Sequence, residues 1–341
     1  MTFRFVPYPA LGDMPNVVVD GAAQGATVLT LSHWSHSGTP AELKDDLSAQ
    51  IVFHYLDHPR LHVNADAVSN NHFDEDGLVG VYALVDPDGA QARRRLINDV
   101  AGAGDFGTYQ SRDAARVSFA LSSFADADRS PLDSSIFAFE YDDYAAAMYE
   151  ELLPRLPELL DHPDRFRVLW EDEDARLAHS ETALRSGTVT LDEKPEVDLA
   201  VVTIPEGWPD QLVHRFTQTR SQAIHPMAVH NTTDCSRVVL VEGRRYEAQF
   251  RYETWVQYVS RKLPPRVDLE PLARELSQHE PAGQWHFDGA SVITPRLHLT
   301  GAVESAIPPE TFLERLVDFL RTSPSAWDPY DPEPGQRTLA S

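Results

Sequence analysis

The chain of 341 residues carries a single cysteine, Cys235. That excludes an intramolecular disulfide framework and any zinc site built on a cysteine cluster. It fits a reducing compartment, and a cytoplasmic location is the expectation. No run approaches the ~18 apolar residues of a membrane-spanning helix. The opening MTFRFVPYPALGDMP, with three prolines, lacks the apolar stretch of a signal peptide. Positive charge is scarce: Lys+Arg number 29 against 53 Asp+Glu, a net charge of -24. Such a surface repels phosphate backbones, so long nucleic acid is a poor partner, and an anionic membrane is disfavoured for the same reason. Internal repeats and Gly-rich phosphate loops of the GxGxxG or Walker type are absent from the sequence. What remains is a globular composition, 42% hydrophobic and 24% charged, over a length that suggests about two domains.

The first half alternates strand and helix signals. Asn16–Asp20 and Ala26–Ser32 read as strands, and Ala65–Asn70 as a third. Thr39-Pro40-Ala41-Glu42 has the form of a helix start, followed by Leu43, Leu47, Ile51 and Tyr55 at helical spacing and Pro59 beyond. Glu75–Val85, Gln91–Val100 and Arg112–Phe124 also read as helices. This alternation predicts an α/β fold, a mainly parallel sheet with flanking helices, over residues 1–140. Residues 141–190 read as a helical linker interrupted by Pro154, Pro157 and Pro163. Residues 191–325 read as a smaller α+β domain, with strands at Val197–Ile204, Val238–Glu242 and Tyr246–Tyr258 and helices at Asp268–His279 and Pro309–Arg321. A hairpin turn falls at Gly243-Arg244-Arg245, and residues 326–341 read as a flexible tail.

Six of the 14 histidines lie between positions 33 and 72. His54, His58 and His62 cluster around a helix end and read as capping or solvent-exposed. His33, His36 and His72 each follow a predicted strand, where ligands of open α/β sheets gather. In Asn70-Asn71-His72-Phe73-Asp74-Glu75-Asp76-Gly77 a strand runs into His-x-Asp-x-Asp-Gly and then an apolar helix. One helix cap needs one acid, and this segment offers His, two Asp and Glu. Imidazole with carboxylates suits Mn²⁺, Fe²⁺ or Zn²⁺. Asp20 at a strand end and Asp105 between glycines complete a mixed set of His33, His36, His72, Asp20, Asp74, Asp76 and Asp105, all at predicted element ends.

These motifs resemble those of the DHH phosphoesterase superfamily. NNHFDEDGLVGVYAL is similar to that family's first motif, a strand ending in His and two alternating Asp. VVVD resembles its second, a strand ending in a metal-bridging Asp. TLSHW with TPAELKDDLSAQIVFHYL resembles the Asp-His-His motif and the Ser-Ala-containing helix after it, and INDVAGAGDFGTY resembles the fourth. The resemblance covers roughly residues 16–125. It implies metal-ligand roles for His72, Asp74, Asp76, Asp20 and Asp105, and a metal- or phosphate-contacting role for His33. Two departures stand out. Asp-His-His is here Ser32-His33-Trp34, with His36 two residues on, and the second and third motifs precede the first, as in a circular permutation. The chain as a whole also resembles an uncharacterised actinobacterial family.

The resemblance implies a metal-dependent hydrolase, a phosphoesterase acting on a small anionic, nucleotide-like molecule. Two divalent ions, Mn²⁺ foremost, would activate water, and His33 or His36 would protonate the leaving oxygen. The second domain would close over the substrate, with Arg220, His225, His230 and Arg251 as candidate anion contacts. The partner expected is the substrate, with a homodimer left open. Two alternatives stand beside this reading: a metal-dependent enzyme of other chemistry, such as amide hydrolysis or a biosynthetic step, and a non-catalytic small-molecule-binding protein with a degenerate site.

Overall fold

A computed structural model describes residues 2–215 and 218–330, without the side chains of 213–215 and 218–221. It is an α/β structure. Four strands, β1 (Arg4–Phe5), β2 (Asn16–Val19), β3 (Thr27–Leu31) and β4 (Ala67–Ser69), pair in parallel in the order β1-β4-β2-β3. Every residue of β2 and β4 is buried. A strand reaches that state only when both faces are covered, and such strands read as unbroken apolar runs rather than alternation. Helices α1 (Ser48–Asp57) and α2 (Glu75–Val85) pack on these strands, and α3 (Pro87–Ala92), α4 (Arg94–Asp105), α5 (Arg112–Phe124), α6 (Tyr141–Leu152), α7 (Leu156–Asp161) and α8 (Arg167–Ser186) follow in the chain.

The first helix starts later than its capping sequence predicts. Thr39-Pro40 opens only a 3-10 turn at Ala41–Leu43, and α1 begins at Ser48. The Thr39 hydroxyl is bound to the end of β3 instead, accepting from the Ser32 N–H at 2.9 Å and lying 2.8 Å from the Ser32 carbonyl. The cap of α1 comes from outside the helix. The two carboxylate oxygens of Asp76 accept the Ser48 and Ala49 N–H groups, each at 2.7 Å. Nothing in the spacing around Thr39 announces a cap supplied from 28 residues away.

Contacts divide the chain into two units. The first holds residues up to Leu177 together with Leu212–Arg220 and Tyr258–Ser260, and the second holds the rest. The division falls inside α8, so the helical stretch read as a linker belongs partly to each unit.

In the second unit, β5 (Thr190–Lys194), β6 (Leu199–Ile204), β9 (Arg237–Glu242), β10 (Arg245–Phe250), β12 (Gln284–Phe287) and β13 (Arg296–Thr300) form one sheet in the order β12-β13-β10-β9-β6-β5. Only β6 and β9 run parallel. β7 (Gln211–Arg215) pairs with β8 (Gln218–Gln222), and β11 (Arg266–Val267) with β14 (Ser325–Trp327). Helices α10 (Glu270–Ser277) and α11 (Pro309–Thr322) cover one face of the large sheet around Tyr246, Leu272 and Phe312. Short α9 (Pro226–His230) and the end of α8 meet the other around Ala200, Val202 and Val238. The predicted turn is there: Glu242 pairs with Arg245 across Gly243-Arg244, with Gly243 at φ +54°. The strand after it is shorter than its alternation suggests. It ends at Phe250, where a 3-10 turn at Tyr252–Thr254 follows. Trp327 is part of a strand rather than a loose tail, and residues 331–341 lie outside the described residues.

One glycine lets α2 reach the sheet. A Cβ at Gly80 would come 2.7 Å from Val19 Cγ1, in a fully buried, β-branched side chain that has little freedom to yield. Gly80→Ala gains helix propensity, about 1 kcal/mol, but overpacks the layer by about 1–3 kcal/mol. The expected outcome in urea unfolding is a net loss of stability, and a more stable variant would show that the helix–sheet contact is loose.

Candidate metal centre

Three of the four parallel strands, β2, β4 and the edge strand β3, each end in a polar side chain, and those ends converge. β2 delivers Asp20, whose backbone is left-handed at φ +50° while its N–H still donates to the Leu31 carbonyl at 2.9 Å. Aspartate is among the few residues that adopt this conformation readily, and here it turns the carboxylate out of the strand direction. β3 delivers His33. β4 delivers Asn70, whose Oδ1 accepts the His72 N–H at 3.1 Å and so folds the chain towards α2. Asp74 then caps α2 by accepting the Gly77 N–H at 2.8 Å. Asp76 lies in the first turn of α2, and Asp105 is the last residue of α4.

The side chains meet at short range. His33 Nε2 stands 3.4 Å from Asp20 Oδ1 and 3.5 Å from Asp105 Oδ2. His72 Nε2 stands 2.9 Å from Asp74 Oδ2 and 3.4 Å from Asp20 Oδ2. Two groups have ligand atoms close enough to share one cation: Asp20, His72 and Asp74, and Asp20, His33 and Asp76. Asp20 belongs to both. The geometry thus allows two adjacent cations with Asp20 between them.

Electrostatics point the same way. Burial, with Asp74 nearby, pushes Asp20 up to about 7, and burial, with Asp20 nearby, does the same to Asp76. Asp105 is driven well above the carboxylate range by burial and then by Asp76, Asp74 and Asp20. Glu75, buried behind them and accepting from Ser122 Oγ at 3.0 Å and Ser118 Oγ at 3.3 Å, also rises to about 7 through burial. His72 is the compensating cation. Burial opposes its charge, but Asp74 and Asp20 outweigh burial and raise it well above the usual imidazole range. Asp74 is held low by that imidazolium despite its own burial.

His33 behaves differently, because burial lowers its pKa. Its Nδ1 lies 2.6 Å from the Asp46 carbonyl, which can only accept, so the proton sits on Nδ1. Nε2 then presents a lone pair towards the oxygens of Asp20 and Asp105. That is an unfavourable arrangement until a proton or a cation stands between them. Asp20 Oδ2 is buried, with the His72 Nε2 facing it at 3.4 Å. Neutral imidazole and carboxylates are the donor set of Mn²⁺, Fe²⁺ and Zn²⁺, so the residues present fit a divalent ion.

The remaining candidates lie elsewhere. His36 is exposed, at φ +62° in the turn after β3. His54, His58 and His62 make local bonds to the carbonyls of Leu43, His54 and Tyr55. In the second unit, His225 Nδ1 caps α9 by accepting the Met227 N–H at 3.1 Å, and His230 is buried in the same helix. Arg251, read as an anion contact, is instead a buried structural residue. Its guanidinium donates to the carbonyls of Thr233 and Cys235 and pairs with Glu253. The Arg220 side chain lies outside the described residues.

Two contributors escaped the sequence reading. Ser48 donates from Oγ to Asp20 Oδ1 at 2.6 Å and accepts the His33 N–H at 3.3 Å. Glu75 was visible only as one more acid in its segment. What admits it is Gly104 on α4, where a Cβ would stand 2.6 Å from Glu75 Cβ.

The model of DUF6687, a family of unknown function, matches residues 1–331. The chain belongs to this family. No curated protein and no solved structure matches it. The match takes in both units of this DUF6687 chain, the acidic centre included, and no helix among the described residues is long and apolar enough to cross a membrane.

The shifted acids predict a pH dependence. A carboxyl with a raised folded-state pKa carries no penalty below its unfolded pKa of about 4, and its full penalty above the folded value. Asp20, Asp76 and Glu75 therefore destabilise the metal-free protein progressively as the pH climbs towards about 7. His72 acts in the same direction once it loses its proton, and His33 opposes them. A divalent cation replaces the protons, so its stabilising effect should grow with pH. Melting temperatures at about pH 5 and about pH 8, with and without Mn²⁺, test this. A Mn²⁺ increment that is absent, or larger at the acidic pH, would contradict the assignment.

Proposed function

We propose that the protein is a metal-dependent hydrolase, a phosphoesterase of small anionic, nucleotide-like molecules, with Mn²⁺ as its ion. The observation that carries the proposal is the pair of ligand groups joined by Asp20 at the ends of β2, β3 and β4. The resemblance to the DHH phosphoesterases supports it, because that family's motifs supply the same residues. Divalent ions held there would supply the positive charge that makes hydroxide available near neutral pH and offsets charge on a phosphoryl group. The protein's own side chains would do the rest. His72, Asp74 and Asp20 would hold one ion, and His33, Asp76 and Asp20 the other. Ser48 would orient Asp20, and the Asp46 carbonyl would keep His33 in the tautomer that leaves Nε2 for an ion. Substrate anions would be met by the ions rather than by Arg251 or His225, whose polar groups serve the fold.

One observation favours the non-catalytic alternative. Where the family's motif ends in a second histidine this chain has Trp34, and its ring stacks on His72 at 5.1 Å. A binding protein that kept the ions but not the turnover would bind Mn²⁺ and a nucleotide without hydrolysing it.

Asp74→Asn separates these readings from a purely structural one. Asparagine caps a helix about as well as aspartate, so α2 keeps its start, while the charge facing His72 and the ions is lost. The expected outcome is a folded protein with bound Mn²⁺ reduced at least tenfold and phosphoester hydrolysis abolished. Elemental analysis and a phosphoester panel read the two effects. Equal metal in both proteins would overturn the proposal. Metal loss in Asp74→Asn, with a wild type that binds Mn²⁺ but hydrolyses nothing, would favour the binding protein.

A further inference from the structure

Asp46 lies in the loop before α1 and is used through both its backbone and its side chain. Its backbone carbonyl accepts from His33 Nδ1 at 2.6 Å. Its carboxylate receives a segment far along the chain. Oδ1 accepts the N–H groups of Val259 at 2.6 Å and Ser260 at 2.9 Å, and Oδ2 accepts the Ser260 hydroxyl. Tyr258–Ser260 belongs by its contacts to the first unit, although the residues on either side of it do not. A second path runs beside the first. Phe106, next to Asp105, lies 6.2 Å from the His33 ring and meets Tyr258 edge-on at 5.4 Å. The same three-residue strap therefore touches His33's neighbourhood through a carboxylate and through an aromatic ring.

We propose that Asp46 is a positioning residue through which the Tyr258–Ser260 strap sets the orientation and tautomer of His33. The proposal rests on the metal reading for its consequence, which is cation affinity, but its structural half stands apart from that reading. The carbonyl that holds His33 belongs to the residue whose side chain the strap holds. Ser48, two residues on, is pinned by Asp76, so the loop is anchored on one side by α2 and on the other by the strap. With the strap bound, the Asp46 carbonyl has one direction, Nδ1 keeps the proton, and Nε2 faces Asp20 and Asp105. With the strap released, the carbonyl can turn and the imidazole loses the partner that selects its tautomer. Partners of this kind, once removed, typically cost ten- to a hundredfold in metal affinity.

The test uses the full chain and two substitutions that touch no proposed ligand side chain. Asp46→Ala keeps the carbonyl and removes the carboxylate. Ser260→Ala acts from the strap and leaves Asp46 intact. Asp46→Asn serves as the partial rescue, since its amide oxygen can still accept the two backbone N–H groups. Mn²⁺ titration calorimetry should show affinity reduced about tenfold in Asp46→Ala, less in Ser260→Ala, and by an intermediate amount in Asp46→Asn. Long-range ¹⁵N–¹H spectra of the metal-free proteins should show His33 protonated at Nδ1 in the wild type and as a tautomer mixture in Asp46→Ala. A merely structural tie would lower melting temperature and leave both readouts at wild-type values, which would overturn the proposal. A wild type without Mn²⁺ affinity would overturn the metal reading. The imidazole spectra would then decide the positioning role alone, with an unchanged His33 tautomer in both alanine variants counting against it.

Discussion

Several carboxyl groups buried at one edge of a sheet repel one another and lose hydration together. The first unit gathers Asp20, Asp76, Asp105 and Glu75 with almost no solvent exposure, and Asp74 beside them. Inside the protein the positive charge facing this group is the His72 imidazolium, while His33 is kept neutral by burial. Much of the local architecture eases that load. The N-terminal N–H groups of α1 go to Asp76, the Ser48 hydroxyl to Asp20, and the Ser118 and Ser122 hydroxyls to Glu75. The residual charge is still unbalanced near neutral pH, where several of these acids retain protons. A cation in their midst is the natural replacement for those protons, and Asp20 belongs to both groups whose ligand atoms lie close enough to share one.

The parallel sheet is the simplest way to assemble such a site. Strands running the same way end on the same side, so three short strands bring three polar termini together without any one loop having to fold around an ion. The buried β2 was legible in the sequence because an unbroken apolar run such as Val17–Val19, bounded by Asn16 and Asp20, has few other uses, whereas the shorter β4, Ala67–Ser69, gave a weaker signal. Asp20, His33, His72, Asp74, Asp76 and Asp105 were legible for a related reason: each stands where an apolar element stops. Distances between them were not legible, since they depend on the order β1-β4-β2-β3, which local patterns do not encode.

What escaped the sequence escaped for physical reasons. The start of α1 is decided by Asp76, a partner remote in sequence, and not by the capping signal at Thr39. Ser48 resembles any serine at a helix start until its hydroxyl is found on Asp20. Arg251 has the residue type of an anion contact, and only its buried bonds to Thr233, Cys235 and Glu253 show that its charge serves the second unit's fold. The alternation through Tyr246–Tyr258 continues past Phe250, but the strand stops there and a 3-10 turn at Tyr252–Thr254 follows. Asp46 shows the same principle at the candidate site. Its carbonyl lies close to His33 in sequence, whereas the strap that holds its carboxylate comes from more than 200 residues on.

The account's central claim is that Asp20 stands between two cations. Crystals grown with Mn²⁺ and measured near the manganese absorption edge would show where the ion sits by its anomalous scattering. Two peaks, one against His72 and Asp74 and the other against His33 and Asp76, each also within bonding distance of Asp20, are the predicted result. Density without an anomalous peak at Asp20, in a protein whose fold is otherwise as described, would contradict the claim.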